Sequence, residues 1–119
     1  MAETQMVHKV VLSSGKVVLF REMEMRHEEL ATQIASGKAG ENMTMVGYYM
    51  QNELIKLLLA GFSKTEEGKP KKLSATETEN LSSIFSYPDI TQMRKVVGKL
   101  MGEDSVKVLP IEMISSGGL

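Results

Sequence analysis

The sequence predicts an α+β fold, mostly α: an N-terminal β-hairpin followed by about four helices, the last two forming an α-hairpin. Three observations carry this reading. Two apolar, β-branched runs flank the tetrapeptide Ser13-Ser14-Gly15-Lys16. A long stretch over 43–62 repeats its apolar residues at helical spacing. Ser74 and Glu77, three apart ahead of Leu81, Ile84 and Phe85, have the spacing of a capping box.

The hairpin is assigned to 7–21. His8, Val10 and Leu12 alternate with Lys9 and Val11, and Val17 and Leu19 alternate with Val18 and Phe20. Gly15 can take the positive φ that a tight reversal needs. A phosphate-binding loop would need a helix directly after the glycine, but here a strand follows. An isolated two-stranded hairpin is marginally stable, so this one must pack on a helix or pair its edges with something else.

Four helices are expected, at about 25–35, 43–62, 75–86 and 88–101. The first buries Leu30, Ala31 and Ile34, with Gly37 as its C-cap. The second carries Met43, Val46, Met50, Leu54, Leu57, Leu58 and Gly61 on one stripe. Tyr48, Ile55, Leu59 and Phe62 lie on another beside it, and Gln51, Asn52, Glu53 and Lys56 mark a wet side. Apolar around more than half its girth, it is either the central core helix or serves core and partner at once. The segment SKTEEGKPKK (63–72) reads as a solvated, mobile loop whose lysines are diluted by Glu66 and Glu67. Pro88 and Asp89 suit the first turn of the fourth helix, which buries Ile90, Met93, Val97, Leu100 and Met101 and stops at Gly102. These elements make one domain over 1–102. Residues 103–119 read as an extended or flexible C-terminal tail. Val106, Val108 and Ile111 could form an edge strand, but Pro110 and the Ser-Ser-Gly-Gly run argue against a stable element.

With 119 residues, 42% of them apolar, the chain can bury a core without staples. Cysteine is absent, which excludes disulfides and thiolate metal sites. The opening MAETQMVHKV has no secretion-signal pattern, and LIKLLLAGF is too short to span a membrane. A net charge of -1 argues against nucleic acid as the main partner. Ten methionines stand against three tyrosines, three phenylalanines and no tryptophan, which favours either an irregular core or an adaptable surface.

Catalytic chemistry is missing. The only imidazoles are His8 and His27, and the His27-Glu28-Glu29 run lacks the second histidine that a zinc helix supplies. There is no nucleophile elbow, Walker or dinucleotide fingerprint, and the carboxylate pairs sit in charged, solvated stretches. No cofactor or metal is expected, and an enzyme is not the reading.

The stretch VVLSSGKVVLFREMEMRHEELA resembles the start of small phage tail assembly chaperones of the Mu-like and myophage type: a hairpin, an LRE-like strand end and a short helix. NELIKLLLAG, followed by LSATETENLSSIFSYPDITQMRKVVGKLMG, is similar to the rest of such proteins. The likeness covers about 7–102 by element order and scattered residues, with a further likeness to small contractile-tail baseplate hub proteins. It implies a non-enzymatic protein that binds the tape measure protein and aids tail tube assembly in the bacterial host cytoplasm. The alternative it implies is a structural baseplate or hub subunit in the virion tail. The residues themselves propose a partner-binding groove of Met43, Met50, Leu54, Leu57 and Leu58 faced by Met93, Val97 and Met101. Self-association is also expected; nucleic acid and membrane are not expected as partners.

Overall fold

A computed structural model describes residues 6–102 and 110–115. Strand β1 (Met6–Val11) and strand β2 (Val17–Phe20) form the hairpin; helix α1 (Met25–Ala39) follows. A 3-10 turn (Met43–Met45) leads into α2 (Val46–Leu58), which passes directly into strand β3 (Leu59–Ser63). The short helix α3 (Ala75–Glu79) and a 3-10 turn (Leu81–Ser83) precede α4 (Tyr87–Leu100), and strand β4 (Ile111–Ser115) comes last. The fold is α+β and mostly α. Its sheet is fully antiparallel in the order β3-β2-β1-β4.

The hairpin therefore gains a neighbour on each edge. Phe20 pairs with Leu59 and Val18 with Phe62, while Val10 pairs with Ile111 and His8 with Met113. Both added strands correct the sequence reading. Residues 59–62, expected as the end of the second helix, are extended. Glycine at 61 is a poor helix former, and the open edge of β2 supplies backbone partners instead. The two apolar stripes read around one helix are here partly the two faces of a strand, of which four of five residues are buried. Ile111–Ser115 also pairs, despite Pro110. That proline stands just before β4, where its missing N–H removes no ladder bond. The expectation for Val106 and Val108 lies outside the described residues.

One sheet face packs on the helices. Val10, Leu12, Val18 and Phe20 join Ala31, Leu54, Ile55, Leu58, Leu81, Phe85, Met93, Val96 and Val97 in the main core. Burying a side chain such as Leu54 or Phe20 stabilises by about 1.5–3 kcal/mol. The other face carries a strand-only cluster of Val7, Val17, Leu19 and Ala60.

Helix α1 differs from expectation in its face and its end. Its buried residues are His27, Ala31 and Ala35, while Leu30 is exposed and Ile34 half-buried. The two alanines let α1 lie close on α2, which larger residues at those positions would prevent. The helix runs through Gly37 and stops at Gly40, whose φ is +58°. The expected helix over 75–86 breaks after Glu79. Asn80 caps it by donating from Nδ2 to the Thr76 carbonyl, and the serines that follow favour turns. Ser74 and Glu77 do form a capping box, through bonds of 3.0 and 3.1 Å.

Asp89 joins the hairpin to α4. It sits at the third helical position, only 1% exposed, inside a second capping box: the Ser86 N–H donates to Asp89 at 3.0 Å and the Asp89 N–H to Ser86 Oγ at 3.3 Å. Lys16 Nζ reaches the same carboxylate at 2.8 Å and Ser14 Oγ donates to it at 2.7 Å. Ser13 and Gln92 exchange two further bonds, of 3.0 and 2.9 Å. Gly15, at φ +91°, makes the turn that presents these groups. The Ser-Ser-Gly-Lys turn is thus both a strand reversal and a clamp on a helix N-terminus. Burial alone would push the Asp89 carboxyl up, but the bonds from Lys16, Ser14 and Ser86 hold it below the ordinary carboxylate range.

Asp89→Ala is expected to destabilise the chain by about 3 kcal/mol, read as a lower urea midpoint. Lys16→Met should cost at least as much, because it leaves the Asp89 carboxylate buried without its cation, whereas Lys16 in Asp89→Ala keeps some contact with water. The stabilisation from the depressed carboxyl is complete above about pH 4 and is lost as pH falls through its lower folded value. Acid titration of Asp89→Ala should therefore show a shallower loss of stability below pH 4 than the parent chain.

Candidate functional site

Tyr48, Asn52 and Lys56, spaced four apart, share one face of α2. With Ile90 and Arg94 of α4, and with Leu81 and Ser82, they line a cleft of about 320 Å³. The Arg94 guanidinium lies over the Tyr48 ring, 4.6 Å from its centre, and Arg94 Nε donates to Asn52 Oδ1 at 2.9 Å. Tyr48 meets Tyr49 edge to face at 5.5 Å. Tyr48 is nonetheless 47% exposed, so an apolar and cationic platform faces solvent.

A charge network stiffens one wall. Glu53, placed on the wet side by its sequence neighbours, is only 7% exposed. It accepts from Lys38 of α1 and from Lys56, and Lys56 also reaches Glu79 at 3.5 Å. Burial pushes Glu53 up, but the two lysines more than offset this and hold its carboxyl below the usual range; the Glu53 bond raises Lys38 in turn. Glu53 and Lys38 therefore both stay charged near neutrality.

Arg21 was read only as part of the strand end, yet it closes the joint between α2 and β3. Its N–H donates to the Leu58 carbonyl at 2.6 Å, and its guanidinium to the carbonyls of Leu57 and Leu59 at 3.2 and 3.1 Å. These are the orphan acceptors of a helix C-terminus. His27 has a comparable local duty: its Nδ1 accepts from the Glu24 N–H at 3.0 Å. Burial, then the neighbouring Arg26, push its pKa down, which favours the neutral acceptor.

The eight residues expected to line a groove are divided. Leu54, Leu58, Met93 and Val97 are sealed in the main core and have no surface to offer. Met50, Leu57 and Met101 pack half-buried against that core. Met43, at the start of the 3-10 turn, is 68% exposed. The central stripe of α2 is therefore core. The open cleft lies one step around the helix, at Tyr48 and Asn52. Arg94 lies outside the apolar stripe expected for the fourth helix, and its place opposite Tyr48 is what marks it.

The hairpin turn and the start of α4 gather a hydroxyl, an amine and a carboxylate. Ser14 Oγ lies 3.5 Å from Lys16 Nζ and bonds to Asp89. Ser14 donates to an Asp89 carboxylate whose pKa, despite burial, is held low by the bonds from Lys16, Ser14 and Ser86, which makes that carboxylate a weak base. Among the described residues no three histidine or carboxylate side chains converge as metal ligands, and no helix is long and apolar enough to cross a membrane.

Tyr48→Ala and Arg94→Ala should each cost no more than about 1 kcal/mol in urea unfolding, the scale of an exposed cation–π pair. Glu53→Ala, which takes the carboxylate from Lys38 and leaves Lys56 with Glu79, should cost about 1–2 kcal/mol. No protein-family model matches the chain, and neither a curated protein nor a solved structure is significantly similar to it.

Proposed function

We propose that the chain is a non-catalytic tail assembly chaperone that holds an apolar helical segment of a tape measure protein in the host cytoplasm. The carrying observation is the Tyr48–Arg94 platform at the mouth of the α2–α4 cleft. Tyrosine and arginine are the residue types that dominate binding energy at protein interfaces. The exposed Met43, Met25 and Leu30 add flexible apolar area on α1 and at the entry to α2. The order of elements, which resembles that of tail assembly chaperones, supplies the partner class.

The edge position of β4 supports a second reading, a baseplate or hub subunit retained in the tail. Among the described residues β4 pairs with β1 alone, and an open strand edge suits permanent docking to a neighbour. Mass spectrometry of finished tails separates the two, since a chaperone is absent from them.

Co-expression with a tape measure segment should keep that segment soluble and co-purify it. Tyr48→Ala and Arg94→Ala should reduce the recovered complex by about tenfold while leaving the chain folded. A segment that stays insoluble and does not co-purify would reject the chaperone reading.

A further inference from the structure

The loop between β3 and α3, read from the sequence as solvated and mobile, is closed on itself. Phe62 and Lys71 exchange two backbone bonds, each 2.9 Å. Ser63 Oγ donates to the Thr65 carbonyl at 2.7 Å, and the Gly68 N–H donates to Thr65 Oγ1 at 3.1 Å. A side chain at Gly68 would have to displace the Ser63 hydroxyl that bonds to Thr65. The backbone positions of the loop's lysines are therefore set before any partner arrives.

Lys64, Lys69, Lys71 and Lys72 line a groove of about 310 Å³ together with Phe62, Ser63, Leu73 and Glu77. Lys16, Lys38 and Lys56 each meet a carboxylate; among the described residues none of these four does. Glu77, among the described residues the only carboxylate lining the groove, accepts from the Ser74 backbone N–H, and Glu66 and Glu67 do not line it. Bonds to the Ser74 backbone and side chain also hold Glu77 ionised. Phe62 is fixed edge to face against Phe85 at 5.1 Å, and with Leu73 it adds apolar wall to the cationic rim.

We propose that this groove binds an acidic segment of a partner protein, with carboxylates on the four lysines and an apolar side chain against Phe62 and Leu73. The inference rests on the protein-binding reading above and adds a second contact, separate from the Tyr48–Arg94 cleft. Charge complementarity selects the occupant: four lysines, none paired with a carboxylate among the described residues, outnumber the single ionised Glu77 and attract carboxylates, and the apolar wall favours a peptide over a simple anion. A nucleic acid is disfavoured, because the groove has no guanidinium and its one ring is packed against Phe85.

The test is fluorescence anisotropy of the full chain with a labelled octapeptide of glutamates interrupted by one leucine and one phenylalanine. Its glutamine counterpart and a short oligothymidylate are run beside it. The acidic peptide should bind, the glutamine peptide should not, and raising salt from about 50 to 300 mM should weaken binding. A Lys69→Gln, Lys71→Gln, Lys72→Gln variant, its fold checked by circular dichroism, should bind about tenfold more weakly. Lys95→Gln, at an exposed lysine of α4 away from the groove, should bind as the parent does. Equal binding of both peptides, no binding of either, or preference for the oligonucleotide overturns the proposal. Capture of the tape measure segment without acidic-peptide binding removes this inference alone. Peptide binding without that capture removes the cleft reading and leaves the groove.

Discussion

Asp89 is a buried anion that must be matched on every side, and the architecture is arranged around that requirement. Its carboxylate takes a lysine and a serine from the hairpin turn and a backbone N–H from the start of α4. An unmatched carboxylate at this depth would be strongly destabilising, so the turn and the helix must meet in one relative position. That position brings Val10, Leu12 and Val18 into one core with Met93 and Val97, and so sets how the sheet meets the helices. The tetrapeptide at 13–16 serves the fold through its polar atoms as much as through its glycine.

The same logic of matched polar groups runs through the joints of the chain. Arg21 covers the carbonyls where α2 becomes β3, which lets a helix pass into a strand without a loop. Glu53 ties α1 to α2 through Lys38 and carries the link on to α3 through Lys56. Each of these residues looks like ordinary surface charge when read along the chain. Each becomes structural once a segment far away in sequence supplies its partner.

This economy leaves the interacting surface at the margins of the core. The apolar middle of α2 is spent on packing, and a partner meets what surrounds it: the Tyr48–Arg94 platform, exposed methionines, and a lysine-lined loop held by backbone bonds. Cleft and groove differ in chemistry: the cleft pairs an exposed tyrosine with arginine beside a network of matched charges, and the groove presents lysines unpaired among the described residues. A single elongated partner chain that touched both would be read by two independent criteria.

Local chemistry was enough to specify several features from the residues alone. The alternation around Gly15 specifies the hairpin, Ser74 with Glu77 the start of α3, and Pro88 with Asp89 the start of α4, because each depends on groups within a few residues of one another. The α+β class follows from those periodicities. Tertiary structure alone decided that 59–63 and 111–115 are strands, since an extended segment is stabilised by whichever distant edge accepts it. It also decided that Leu54, Leu58, Met93 and Val97 are core and not groove, and that Tyr48 and Arg94 form a platform. An apolar stripe records that a face is covered but not by what, and a charge records no partner until the fold brings one within reach.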